Sequence, residues 1–473
     1  MKTKTWKLLI GIIFPFFSFI SSAQQLQVSE NNRFLVKEDG SPFFWLADTG
    51  WEMLHRLDRD DIEFYLNTRA SQGFTVIQTV ILSEINGVTV PNKEGHLPLI
   101  NQDPTKLNED YFSLVDFAVK TAAELGIYLA LLPTWGSNVE DEPHPLFDNV
   151  ALFDQKNAEK YGQRLGKRYQ NDWNVIWVLG GDRPATDYLD IWNAMAKGLE
   201  RGSGGKHLIS YHPRGQQSSS EWFQNTDWLD FNMVQTGHLY PGFPVYDWIK
   251  KDYDLTPIKP ILNGEPAYED IGYFFNPVNG RYDDYNVRKN AYWSVFSGAF
   301  GHTYGNSNIW QMWDKEHKPI IWANTPWHKA LEHPGGSQMQ YLKNLMLSRP
   351  YLSRIPDQSL MLGKNPKNST AFVSITRDGT SGNSDATYIM VYLPYFGLLN
   401  VDTSVIPNES LRVWWYNPRT GEVISQNEQS NTGKLSVGFW SGIIKEEQGG
   451  PDWVVVIDDA SKNYPLPGKS IYD

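Results

Sequence analysis

Between Pro42 and about Arg349 the chain repeats one pattern: a short apolar run, then a longer stretch whose apolar residues recur every three or four positions. That alternation predicts β-α units feeding a parallel sheet. Eight runs qualify as strands: Phe43 to Asp48, Val76 to Leu82, Ile127 to Pro133, Val175 to Asp182, Leu208 to Pro213, Phe231 to His238, Pro260 to Pro266 and Gly301 to Gly305. Runs such as Ile127-Tyr128-Leu129-Ala130-Leu131-Leu132 are continuously apolar, as strands buried on both faces must be. Between them, Phe112, Val115, Ala118, Val119, Ala122 and Leu125 form a helical stripe ended by Gly126. Tyr188, Ile191, Trp192, Met195 and Leu199 form another. Eight units in about 310 residues match a (β/α)8 TIM barrel. An open doubly wound sheet is the rival, but no Gly-x-Gly-x-x-Gly follows the first strand.

Past Arg349-Pro350 the helical stripes stop, and β-type runs at Ala371 to Thr376, Ala386 to Pro394, Leu411 to Tyr416 and Trp453 to Asp458 are spaced by turn-forming clusters. The expected organisation is a barrel over residues 24–354 and a small C-terminal β-sandwich over 355–473. At the other end, Lys2, Lys4 and Lys7 precede an apolar run from Leu8 to Ile20, and Ser21-Ser22-Ala23 follows. This reads as a signal peptide over residues 1–23, cleaved near Ala23, because the run falls short of the roughly 20 residues that span a bilayer. An exported protein without a membrane anchor, periplasmic or secreted, is expected.

Composition narrows the chemistry. There are 0 Cys, which removes thiolate nucleophiles and Cys-ligated metals. The net charge of -12, with no basic run, argues against nucleic acid. Aromatics make up 14%, including 19 Trp, a supply of ring faces that suits a carbohydrate partner.

In a barrel, polar residues at the carboxyl ends of strands face the catalytic mouth. Those ends read Asp48, Gln78 with Thr79, Thr134-Trp135, Asp182, His212, His238 with Tyr240, Glu265, and His302 with Tyr304. Asp182 and Glu265 each follow an apolar strand and one or two glycines, which let backbone or ligand come close. An acid set between an apolar strand and an aromatic mouth is biased toward its protonated form, whereas one surrounded by donors stays ionised. Glycoside hydrolysis uses such a split pair. Asp182 could alternatively be a turn residue bonding local amides, and Asp48 a cap for the turn at Thr49-Gly50-Trp51. The remaining strand-end residues, Asp48, Gln78, His212, His238, His302 and Tyr304, are candidates for substrate binding. Trp51, Trp135, Tyr240 and Trp310 could supply stacking faces or could be core. Histidines at strands five, six and eight raise the idea of a metal hydrolase, but strand one offers no His-x-His and strand eight no Asp, so neither metal nor cofactor is expected. A non-catalytic carbohydrate-binding or adhesion protein on a degenerate barrel stays open beside the enzyme.

Several motifs resemble one family. Phe44-Trp45-Leu46-Ala47-Asp48-Thr49-Gly50-Trp51-Glu52, Arg69-Ala70-Ser71-Gln72-Gly73-Phe74, Val175 to Asp182 and Asn263-Gly264-Glu265-Pro266 are similar to the apiosidase-like barrels grouped as glycoside hydrolase family 140, over about Asn31 to Arg354. Val413-Trp414-Trp415-Tyr416-Asn417-Pro418-Arg419 resembles the collagen-binding-type β-domain that commonly follows that barrel. The resemblance implies a retaining glycosidase acting on apiose-containing pectic side chains, with Glu265 as nucleophile and Asp182 as acid/base. The wider clan usually carries Asn-Glu where this chain has Gly-Asp. The shorter Asp requires the backbone to stand closer to the sugar.

Overall fold

The computed structural model describes residues 25–140, 150–395, 397–425, 428–438 and 450–472, so the signal-peptide segment lies outside the described residues. Each of the eight apolar runs is a strand: β1 (Trp45–Thr49), β2 (Val76–Leu82), β3 (Tyr128–Thr134), β4 (Val175–Gly180), β5 (Ile209–His212), β6 (Asn232–Gln235), β7 (Ile261–Glu265) and β8 (Gly301–Tyr304). The connecting helices are α1 (Arg59–Ser71), α2 (Glu109–Glu124), α3 (Gln155–Arg168), α4 (Leu189–Ser203), α5 (Val245–Tyr253), α6 (Asp284–Phe296) and α7 (Pro334–Met346). Between β5 and β6 a single turn, Ser220–Phe223, takes the helix's place.

Six strands form one parallel ladder in the order β8-β1-β2-β3-β4-β5, while β6 and β7 form a separate parallel pair. Isolated backbone hydrogen bonds complete the ring, from Asp230 N to Ile209 O and from Phe300 N to Ile261 O, both 2.9 Å. Side chains alternate along most of β2 and along β4. On β2, Val76 and Val80 belong to the core inside the barrel, whereas Ile77 and Ile81 belong to the core under the helices. On β4 the same split separates Ile176 and Val178 from Val175, Trp177 and Leu179. Burial on both faces is what makes the runs continuously apolar.

The C-terminal residues form an antiparallel sheet with main path Ile355–Pro356, Ser374–Arg377, Tyr388–Leu393, Trp453–Asp459, Ser410–Tyr416 and Val423–Ser425. A second sheet of Met361–Leu362, Leu398–Asp402 and Lys434–Gly438 faces it. Ile389, Val391, Val413, Trp415 and Val455 fill the space between them. The larger sheet is apolar on its other face too, where Tyr388, Met390, Tyr392, Trp414 and Val456 join the barrel's own core. Tyr392 stacks on Tyr292 of α6 with centroids 4.7 Å apart and planes 10° apart. Beside this stack the Arg288 guanidinium grips Asp452 through two bonds of 2.9 and 2.7 Å, both side chains being fully buried. Arg349 holds Asp458 in the same forked manner. This domain is therefore fused to the helices behind the barrel rather than tethered by a linker.

Candidate active site

A cleft of about 320 Å³ opens at the carboxyl ends of the barrel strands, with Trp51, Glu84, Trp135, Asp182, His238 and Glu265 in its walls. Glu265 is the last residue of β7. Its placement begins with a β-bulge in β7, where Gly264 is skipped in the pairing with β6 so that Val234 pairs with Asn263 and Gln235 with Glu265. Behind it, the Gln78 amide donates to Gly264 O at 3.0 Å, fixing β7 from across the barrel interior.

Two histidines hold the Glu265 carboxylate. His238 Nε2 lies 3.1 Å from Oε1 in a formed hydrogen bond, and His212 Nε2 lies 3.0 Å from Oε2, off the line of a well-aligned one. Their orientation follows from the other ring nitrogen. The backbone N–H of Tyr268 points at His238 Nδ1 and that of Asp182 at His212 Nδ1, each at 3.3 Å. An N–H donor needs a lone pair to meet, so Nδ1 of each ring is taken up by backbone and Nε2 is the nitrogen that faces Glu265. Burial alone would raise the Glu265 carboxyl, but these two donors outweigh it and hold Glu265 below the usual range, ionised. Removing one donor has a defined sign. His238→Phe is expected to raise the acid limb of the kcat/KM profile by about 1 pH unit, since a hydrogen bond to a charged group is worth about 1.5–3 kcal/mol. A pH–rate profile with an unmoved acid limb would count against this account of Glu265.

Asp182 reaches the cleft by an unusual backbone path. Gly180, Gly181 and Asp182 are all left-handed, with φ of 84°, 118° and 56°. A Cβ at Gly180 would lie 2.3 Å from His212 O, and one at Gly181 would lie 2.8 Å from the Trp135 ring, so this turn presses the chain against β5 and the cleft wall as only glycine permits. Asp tolerates the third left-handed position. Gly180→Ala is expected to destabilise the protein by about 1–3 kcal/mol, read as a lowered thermal midpoint, and to displace Asp182 with loss of activity. The Asp182 carboxyl is pushed above the usual range by burial and then by the Glu265 charge, against the pull of Arg183 and His212. One carboxyl is thus held ionised and its neighbour biased toward the protonated form.

A third acid escaped the sequence reading. Glu84 lies in the cleft wall, where burial and the Asp182 charge push its carboxyl up to about 8. It sits two residues beyond Leu82, the end of β2 that the sequence also marks and the position the strand-end rule selects, whereas Gln78 and Thr79 lie inside the strand. Trp135 Nε1 and Gln235 Oε1, both in the cleft wall and nine-tenths buried, have no hydrogen-bond partner in the protein. Among the described residues no group of three or more His, Asp or Glu side chains could hold a metal ion.

The other expected binding residues divide by position. Trp51, Trp135, His238 and Trp310 line the cleft, and Tyr240 stands at its rim, 39% exposed. His212 is fully buried, boxed by Trp51 and Trp135 with ring centroids 5.3 and 5.8 Å away, and acts on Glu265 rather than on a ligand. Asp48, Gln78, His302 and Tyr304 do not line the cleft, which corrects the expectation for all four. Along β1 and β8, Trp45 and Thr303 meet inside the barrel (3.2 Å), so by alternation Asp48, His302 and Tyr304 point out toward the helices. There Asp48 pairs with Arg69 and Tyr65 at 2.6 Å each, and Tyr304 donates to Glu269 at 2.5 Å. His302 is core, and burial lowers it to about 3. Gln78 points inward but lies beneath the cleft floor, bonded to Gly264 as described.

A family model described as "Apiosidase-like, catalytic domain" matches residues 29–353. The chain belongs to the apiosidase-like family. A second model, "Putative collagen-binding domain of a collagenase", matches residues 355–458 of this apiosidase-like protein. A solved structure titled "Glycoside hydrolase" is similar with 33% identity and a TM-score of 0.85, covering 94% of this chain and 99% of that one. A glycoside hydrolase family 5 structure from Bacteroides vulgatus ATCC 8482 is similar with 34% identity and a TM-score of 0.85, covering 94% and 95%. No curated protein matches. The apiosidase-like chain is a glycosidase. Among its described residues no helix is long and apolar enough to cross a membrane.

Proposed function

We propose that this glycosidase works by double displacement on apiose-containing linkages of plant pectic glycans, with Glu265 as nucleophile and Asp182 as acid/base. In the first step a Glu265 oxygen bonds to the anomeric carbon, the bond from that carbon to the departing sugar oxygen breaks, and the Asp182 proton moves to that oxygen. In the second, water attacks the same carbon, its proton passes to Asp182, and Glu265 leaves with its bonding pair. The observation that carries this reading is the pair of histidine Nε2 atoms lying 3.1 and 3.0 Å from the two Glu265 oxygens. They favour the ionised form of the carboxylate, the form that can attack. The raised carboxyl of Asp182 supports the proton-donor role. Glu84, also raised, is placed to bind a sugar hydroxyl beside Asp182. Residues 1–23 export the enzyme to the periplasm or beyond, where polymer fragments are met.

The test is a panel of pectic oligosaccharides, with and without apiose, followed by NMR of the first product. Release of apiose with its anomeric configuration retained is expected. An inverted first product would remove the nucleophile role of Glu265. Release of other sugars only would leave the mechanism and overturn the substrate.

A further inference from the structure

The cleft, at about 320 Å³, is at the lower limit for a ligand pocket, so a substrate longer than the sugars at the scissile bond must continue outside it. The loops that follow β7 and β8 fringe that exit, and both are strained in the same way. Each holds two consecutive non-glycine residues in the left-handed region: Phe274 and Phe275 with φ of 52° and 61°, and Ile321 and Trp322 with φ of 47° and 62°. Bulky and β-branched residues rarely adopt that conformation, and where they do the strain tends to serve a site. The two pairs divide alike: Phe275 and Ile321 line the cleft, whereas Phe274 and Trp322 stand outside, 55% and 62% exposed.

The strain is held by specific bonds. The Phe274 N–H donates to the carbonyls of His238 and Leu239, both at 3.0 Å, tying this loop to the residue that holds Glu265. Arg281 joins the two loops, donating to Trp322 O at 3.0 Å and to Asp270 O. The Tyr240 ring lies 26° from parallel to Phe274, with centroids 6.1 Å apart, and extends the same apolar face. Exposed aromatics scattered singly need no explanation, but a fixed group at the mouth of a catalytic cleft does.

We infer that Phe274 and Trp322, extended by Tyr240, form an external platform that stacks on the sugar rings of a substrate chain continuing beyond the cleft. The inference rests on the cleft around Asp182 and Glu265 being the site of cleavage. The C–H faces of sugar rings are the complement of such ring faces, and continuity with a glycosidase cleft favours a glycan over a protein partner.

The test uses the full chain, Phe274→Ala/Trp322→Ala as the disrupting variant, and Trp322→Phe as one that keeps a ring. In native gels containing soluble pectic polysaccharide, the wild type and Trp322→Phe should be retarded and the double variant should migrate freely. On pectic oligosaccharides of increasing length, kcat/KM of the double variant should match the wild type for the shortest cleaved substrate and fall about tenfold or more for longer ones, mainly through KM. Equal retardation, no retardation of the wild type, or an equal fall at every length would overturn the platform. Retardation of the wild type with no sugar released would instead sink the cleavage reading and leave the platform standing.

Discussion

Replacing Glu265 by Gln is expected to lower kcat/KM by on the order of 10⁴-fold or more while leaving the fold intact, because an amide cannot form the glycosyl-enzyme bond. Gln is isosteric, and its carbonyl can still accept from one of the two Nε2–H donors. The variant also has a signature that a purely structural role would not give. The Glu265 charge raises Asp182, so its removal lets the Asp182 carboxyl fall, and the basic limb of any residual activity moves to lower pH. Asp182→Asn should behave differently: a loss of about 10² to 10⁴ on natural linkages, shrinking on an aryl glycoside whose leaving group needs little protonation. Steady-state kinetics of both variants on both substrate types decides the matter. Equal losses for the two variants on both types would remove the assignment of roles.

Asp452→Ala is expected to lower stability by about 3–5 kcal/mol, the usual result of stranding a buried charge. The carboxylate neutralises Arg288 on α6, accepts from Tyr392 Oη at 3.0 Å, and lies 3.1 Å from a second guanidinium, Arg419. All of this is fully buried or nearly so, and none of it touches the cleft. The expected readout is a much lower urea midpoint with kcat/KM unchanged below it. Removal of residues 355–473 should be worse, since it uncovers the Tyr292 ring and leaves Arg288 without Asp452. A soluble, cooperatively unfolding fragment ending at Arg354 would contradict that expectation.

The barrel was legible because continuous apolar runs and helical stripes are consequences of burial on both sheet faces and on one helix face. That Asp182 and Glu265 would share one cleft was also legible, since both follow apolar strands at the end where a barrel opens. What misled was treating every polar residue near a strand end as facing the mouth. Asp48 and Tyr304 lie in the last two residues of their strands, yet alternation sends them outward to Arg69 and Glu269. Gln78 points inward four residues before β2 ends, one layer too deep to meet a ligand. The same alternation, counted from Trp45, was available in the sequence. Glu84 stands just past Leu82, where counting from the true end of β2 finds it, whereas the Phe274 and Trp322 loops were harder to find because nothing local marks which part of a long connection folds back over the barrel.

The two carboxyls are carried by different parts of the ring. Asp182 follows β4 in the six-stranded ladder, whereas Glu265 ends β7 in the detached pair. No continuous hydrogen-bond register therefore sets the spacing between the two carboxyls; it is set across two sparsely bonded joints. Amide protons at those joints, such as Asp230 and Phe300, should exchange with solvent ahead of those within the ladder. Mild heating or pressure that loosens the joints would misalign the reacting groups, so turnover would fail while most of the secondary structure was still intact.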